Sequence, residues 1–158
     1  MQNISFFDFI MAHMRYWKHF VSMILKVRKA YSNSFYVLSN VLKEKFPVDA
    51  RLENGTQAKL ESFNAMYVIA QIYDKDNVRY DIENDFITLF FPNSNERKSV
   101  TIHGGINNGD IVYGFLENDY GRLPVKDKTV IDIGANIGDT PIYFALNGAK
   151  KVIGLEPY

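Results

Sequence analysis

A chain of 158 residues that is 47% hydrophobic and 15% aromatic has the composition of a folded protein with a core, which excludes a disordered polypeptide. Its formal net charge is zero, so nothing global attracts nucleic acid, and no nucleic-acid partner is expected. The absence of cysteine excludes disulfides, thiolate zinc sites and cysteine nucleophiles, and leaves the cytoplasm as the default compartment.

The charge is unevenly placed. Residues 1–46 carry seven Lys/Arg against two Asp/Glu, whereas residues 47–158 carry eleven against sixteen. Within this basic segment Phe6, Ile10, Met14, Trp17, Val21, Ile24 and Arg28 recur every three or four positions, which predicts an amphipathic helix with Ser5 available as N-cap. A second helix is expected from Ser34 to Lys45, stopped by Pro47. Such a pair either packs its apolar stripe on the rest of the protein or lays a basic amphipathic helix on an anionic membrane surface. No run reaches the ~18 apolar residues of a membrane span. The positive charges follow the apolar "FFDFIMAHM" rather than precede it, unlike a secretory signal, so a soluble protein is expected.

From Val48 to Gly104 the pattern is that of a small antiparallel β unit with one helix, spanning residues 47–107. Asn54-Gly55 between alternating stretches signals a hairpin. Ser62 heads a short helix in "SFNAMYVIAQIYD", and "NVRYDI", "DFITLFF" and "KSVTIHG" read as strands separated by Asn84-Asp85 and "PNSNER". Their aromatics are expected in the core. His103, beside Gly104-Gly105, is expected to be structural, and His13 and His19, six apart, have no ligand spacing. In "GGINNGDIVYGFLENDYGRLPV", Asp110 is expected to cap a short helix containing Phe115, Leu116 and Glu117. A domain boundary is expected between Asn108 and Lys126.

Residues 108–158 hold the chemistry. "TVIDIG" is a strand, "DTPIYFALNG" a helix ended by Gly148, and "KVIGLEP" a second strand, which together make a βαβ unit with buried parallel strands. Ligands of such units sit at the carboxyl end of the strand and the helix N-terminus. Gly134 supplies a sharp turn, Gly138 close packing or close ligand approach, Thr140 or Asp139 a cap, and Pro141 a first-turn residue whose missing N–H costs little. Asn136 stands where a dinucleotide fingerprint needs its second glycine, and Asp139 sets negative charge where a diphosphate would sit. The turn therefore favours a ligand with an amino-acid or ribose end. Asp132, ending the first strand, suits a cationic amino group directly or through water, or serves only to orient its neighbours. Glu156, ending the second, can accept two hydrogen bonds from a ribose diol. This set fits S-adenosylmethionine better than a nicotinamide dinucleotide.

"VIDIGANIGDTPIYFALNGAKKVIGLEPY" closely resembles the FkbM-type branch of class I S-adenosylmethionine-dependent methyltransferases, most of all its archaeal members, and "RLENGTQAKLESFNAMYVIAQIYD" and "GGINNGDIVYGFLENDYGRLPV" resemble it in the same order. The resemblance covers roughly Arg51 to Tyr158. It implies a methyltransferase, usually transferring to oxygen, with a small-molecule or glycan acceptor. It places the S-adenosylmethionine-binding positions at Asp132, Gly134, Ala135, Asn136, Gly138, Thr140 and Glu156, with Tyr120 as a lid contact. The implied fold class is α/β: a truncated class I methyltransferase (Rossmann-like) fold of which only the first β-α-β unit is present, preceded by N-terminal helices and the small antiparallel β unit. No catalytic residue of the family falls on this sequence. The chain is then expected to be the front of a longer enzyme, inactive alone; one half of a split protein completed by a partner chain; or a non-catalytic interaction module. In the full fold the first strand is central, so here it is expected to expose an unpaired apolar edge.

Overall fold

The computed structural model describes residues 6–91 and 98–157. Ser5, the "PNSNER" turn and Tyr158 lie outside the described residues. Among the described residues the architecture is mixed α/β with three small sheets.

Helix α1 runs Phe6–Ala30 and α2 runs Ser34–Val41. The second helix ends several residues before Pro47, in a turn where Glu44 takes a positive φ. Its preceding Asn33 makes no side-chain cap. Its amide instead accepts from the Arg51 N–H and donates to the Asp49 carbonyl, which fastens the helix start to strand β1 (Val48–Arg51). The Asn54-Gly55 hairpin forms as the sequence indicates. Strand β1 pairs antiparallel with β2 (Gln57–Leu60), Gly55 has φ +88°, and the Asn54 side chain accepts from the Thr56 N–H.

Helix α3 (Phe63–Ile72) begins at Ser62, whose hydroxyl accepts from the Ala65 N–H. Every residue from Ala65 to Ile72 is buried, because this helix threads the centre of the protein. Strands β3 (Val78–Asp81), β4 (Phe86–Phe91) and β5 (Lys98–His103) form a separate antiparallel sheet in sequence order. The expected single antiparallel unit is therefore two sheets on either side of α3 in the chain. Asp85 then does what no local pattern advertised. Its carboxylate accepts from the Ile106 N–H and the Asn107 amide, pinning the one-turn helix α4 (Gly105–Asn108). His103 lies exposed across the ladder from Phe86, their rings 5.9 Å apart.

One hydrophobic cluster runs from Val27 and Tyr31 through Val37, Leu60, Met66 and Ile69 to Ile106, Ile111 and Val112. It crosses both divisions drawn from the sequence, at residues 46/47 and 107/108. Ile69 has no solvent exposure, so Ile69→Ala is expected to cost about 3 kcal/mol by lost transfer and cavity energy. Urea denaturation with an unchanged slope and a lowered midpoint is the expected readout.

The orientation of α1 differs from a stripe packed inward. Val27 and Ala30 are buried and Met23 is half-buried against the cluster, whereas Met14, Trp17, Val21 and Leu25 are each half or more exposed. The helix is apolar on two faces, and its packing on α3 selects between them: Lys26 donates to Gln71 and Lys29 pairs with Asp74.

Residues beyond Val112 form a π-helical turn (Val112–Leu116), a 3₁₀ turn (Asp119–Arg122), and then the βαβ unit: β6 (Thr129–Ile133), α5 (Asp139–Leu146) and β7 (Lys151–Leu155). Strands β6 and β7 pair in parallel, with Asp132 opposite Gly154 and Ile133 opposite Leu155. Helix α5 is two turns long, shorter than the sequence suggests, and Gly148 closes it with φ +87°. Tyr143 and Phe144 bury one flank of α5 against Phe115 and Tyr120. The unit is only half covered: Ile131 is 62% and Ile133 78% exposed, where a parallel sheet is ordinarily buried on both faces.

Candidate functional site

The turn between β6 and α5 is set by three positive φ values: Gly134 +83°, Asn136 +46° and Gly138 +85°. Asn is among the few non-glycine residues that tolerate this region. The N–H groups of Gly134 and Ala135 both donate to the Leu155 carbonyl, at 2.7 and 3.1 Å, so the turn is tied to the end of β7. A Cβ at Gly134 or Gly138 would meet nothing within 4 Å. Backbone direction therefore requires the glycines, and the space above them is open. Close packing falls instead at Gly154, where a Cβ would lie 3.1 Å from Ala135 Cβ and from Pro141 Cγ.

Four carboxylates surround this turn. Glu156, just past β7, accepts the Asn136 N–H at 2.6 Å through Oε2. The Asn136 side chain donates at 3.2 Å to Asp110. Asp139 is buried at the first position of α5, where its own N–H and that of Thr140 favour its charged form. The residue that caps the helix is Gly138, and no side chain does so: neither Asp139 nor Thr140 is the expected cap, because the chain enters α5 through a left-handed glycine. Burial, then the nearby Asp110 charge, hold the Asp139 carboxyl above its ordinary value despite those bonds; Asp132 adds a smaller push. Asp132 is the unsatisfied member. Its Oδ2 is cut off from solvent and has no hydrogen-bond partner, and desolvation raises its pKa.

The structure thus brings together Asp132, Gly134, Ala135, Asn136, Gly138, Thr140 and Glu156 around one turn. Tyr120 is grouped elsewhere. Its ring packs 5.9 Å from Tyr143 and 5.7 Å from Phe144, on the flank of α5, and the neighbouring Asn118 accepts from the Tyr143 hydroxyl.

Asp110 was not legible as a site residue. The expected cap is corrected: the π-helical turn that follows has no side-chain cap, and the carboxylate reaches Asn136, 26 residues on. Asp110 also lines a groove of about 380 Å³ with Phe20, Met23, Phe63, Tyr67 and Tyr113. Phe63, Tyr67 and Tyr113 form a row of rings 6.3 Å apart and nearly parallel, tilted by 9° and 28°. Tyr67 donates to Glu117 at 3.3 Å, and burial together with that carboxylate pushes its phenol upward. A larger hollow of about 900 Å³ lies beside β1 and β2 and is lined by Arg51, Lys59, Glu61 and Glu83, with no residue of the turn.

A stretch of 41 residues is 54% identical to "Uncharacterized protein 158B" of Sulfolobus islandicus rod-shaped virus 1 and covers 26% of each chain. The match thus spans about a quarter of that curated relative. No family model matches the chain. No solved structure matches it.

Proposed function

We propose that the chain binds S-adenosylmethionine in the manner of an FkbM-type class I methyltransferase, a class that transfers to oxygen on a small molecule or glycan. The observation that carries the reading is the unsatisfied Asp132 carboxylate beside an open glycine turn, with Glu156 at the end of the adjacent parallel strand. Asp110, Asp132 and Asp139 together make a field that favours a cation and repels a diphosphate. Asp132 would hold the ligand's ammonium. Glu156 spends one lone pair on Asn136 and keeps acceptor capacity for a ribose diol. Asn136, fixed from both sides, keeps the turn in its ligand-ready shape. When bound, S-adenosylmethionine supplies an electrophilic methyl group. The protein's task is then to position an acceptor in line with it, and the aromatic groove opening at Asp110 is where we place that acceptor's approach.

The charge field yields a pH test. The raised carboxyls of Asp132 and Asp139 are protonated at and just above the ordinary carboxylate range, and ionise as pH climbs through their raised values. Affinity for a cation should rise with pH through that window and then level off, with proton release on binding. Affinity for NADH should be weaker throughout and fall as pH climbs. Calorimetric titrations with each ligand at stepped pH check this. Tighter NADH binding, or S-adenosylmethionine affinity that falls with pH, would sink the reading.

The exposed Ile131 and Ile133 favour a second reading, in which the same residues form a non-catalytic interaction module completed by a partner chain.

A further inference from the structure

We propose that the outward face of α1 is a docking surface for a lipid bilayer bearing anionic headgroups, and that the helix lies in the plane of that surface. The proposal is independent of the ligand reading above. Met14, Trp17, Val21 and Leu25 are spaced by three, four and four residues, so they form one stripe along the helix, and each is half or more exposed. The inward face is already occupied: Val27 and Ala30 are buried in the core. The stripe is therefore not the packing face of this helix.

Charge identifies the occupant. At 100° per residue Lys18 and Lys29 fall beside the stripe and Arg28 continues it at its C-terminal end, each three or four positions from one of its members. Lys18 and Arg28 are exposed; Lys29 is exposed too but pairs with Asp74, so the argument rests on the first two. Residues 1–46 carry seven basic against two acidic residues. An apolar stripe bearing Trp and flanked by Lys and Arg is the composition of a helix at a bilayer interface, its apolar side chains among the acyl chains and its cations at the headgroups. A second copy seated isologously on the same stripe would bring these cations onto one another, which disfavours that occupant. No helix among the described residues is long and apolar enough to cross a membrane, so this one lies on the surface rather than spanning it.

Trp17 is the chain's single tryptophan and sits in the stripe, so its fluorescence reports the site itself. The full chain is titrated with vesicles of phosphatidylcholine, and with vesicles that also contain phosphatidylglycerol. The expected result is a blue shift of Trp17 and co-sedimentation with the anionic vesicles only, weakening as salt is raised. The double substitution Val21→Glu with Leu25→Glu should abolish both signals, while Lys18→Glu and Arg28→Glu should each weaken partitioning by at least about fivefold. All four positions are exposed, and unchanged far-ultraviolet circular dichroism verifies that each variant is folded. Equal partitioning to both vesicle types, or wild-type partitioning by the double variant, would overturn the proposal. So would a vesicle-free blue shift that follows protein concentration with a doubled sedimentation mass, which would assign the face to a second copy.

Discussion

Asp132→Asn is expected to lower the affinity of the chain for S-adenosylmethionine about 100-fold without lowering its stability in the absence of ligand. The two halves of this result have one cause. Asp132 Oδ2 is sequestered from water with no partner, and desolvation raises its pKa. For an acid whose folded-state pKa is raised, the native state holds the proton more tightly than the unfolded state does. Its contribution to stability is therefore lost as pH climbs from the ordinary carboxylate range through the raised value, and at neutral pH the ionised group opposes folding. An amide removes that charge at nearly the same volume, so the free protein should be unchanged or slightly more stable. What disappears is the charge-assisted bond to a bound ammonium, worth about 1.5–3 kcal/mol, and the upper end of that range is about 100-fold in affinity. Calorimetry for binding and thermal unfolding without ligand give the two numbers separately. If affinity falls by less than about threefold, Asp132 orients its neighbours rather than meeting the cation. If the unliganded protein is strongly destabilised, the carboxylate has a structural partner and the loss of binding is indirect.

Tyr143→Ala is expected to loosen the whole βαβ unit from the rest of the protein at a cost of about 3 kcal/mol. Tyr143 is 5% exposed, and its ring contacts Phe115, Tyr120 and Phe144 while its hydroxyl donates to Asn118. Desolvation raises its phenol, as expected for a ring set in that company. Ile137 and Ile142 also pack on the larger cluster and Asn136 bonds to Asp110, but Tyr143 is one of the two most deeply set rings of the joint, so truncation there opens a cavity within it. Limited proteolysis should then cut between residues 113 and 128 much faster than in the parent chain, while the body containing α3 stays resistant. Tyr143→Phe keeps the ring and loses only the bond to Asn118, so it should cost no more than about 1 kcal/mol. Equal proteolysis of the parent and both variants would show that the unit is held by something other than this aromatic joint.

The sequence was most readable where local chemistry and tertiary need agree. Ser62 capping α3 and the Asn54-Gly55 hairpin are decided within a few residues, and both form as the pattern indicates. The grouping of Asp132 with Glu156 was legible for a related reason: two parallel strands around a short helix place their carboxyl ends side by side, as the Ile133–Leu155 register does. The buried face of α1 was not legible. Phe20, Met23, Val27 and Ala30 offer one apolar face and Met14, Trp17, Val21 and Leu25 another, and only packing against α3 decides between them. Nor was the bond from Asn136 to Asp110. Twenty-six residues separate them, Asp110 resembles an ordinary cap, and no periodicity links a loop residue to a distant turn.

The β6–β7 ladder has consequences beyond the carboxylates it brings side by side. It is five residue pairs long, has no third strand among the described residues, and leaves Ile131 and Ile133 in solvent. Such a ladder belongs to the low end of the range of local opening free energies, well below that of the cluster around α3. A ligand bridging Asp132 and Glu156 would grip both strands at once, and by mass action a concentration 100-fold above its Kd would add about 2.7 kcal/mol to the closed form. Occupancy of the turn and order of the strands are then a single equilibrium.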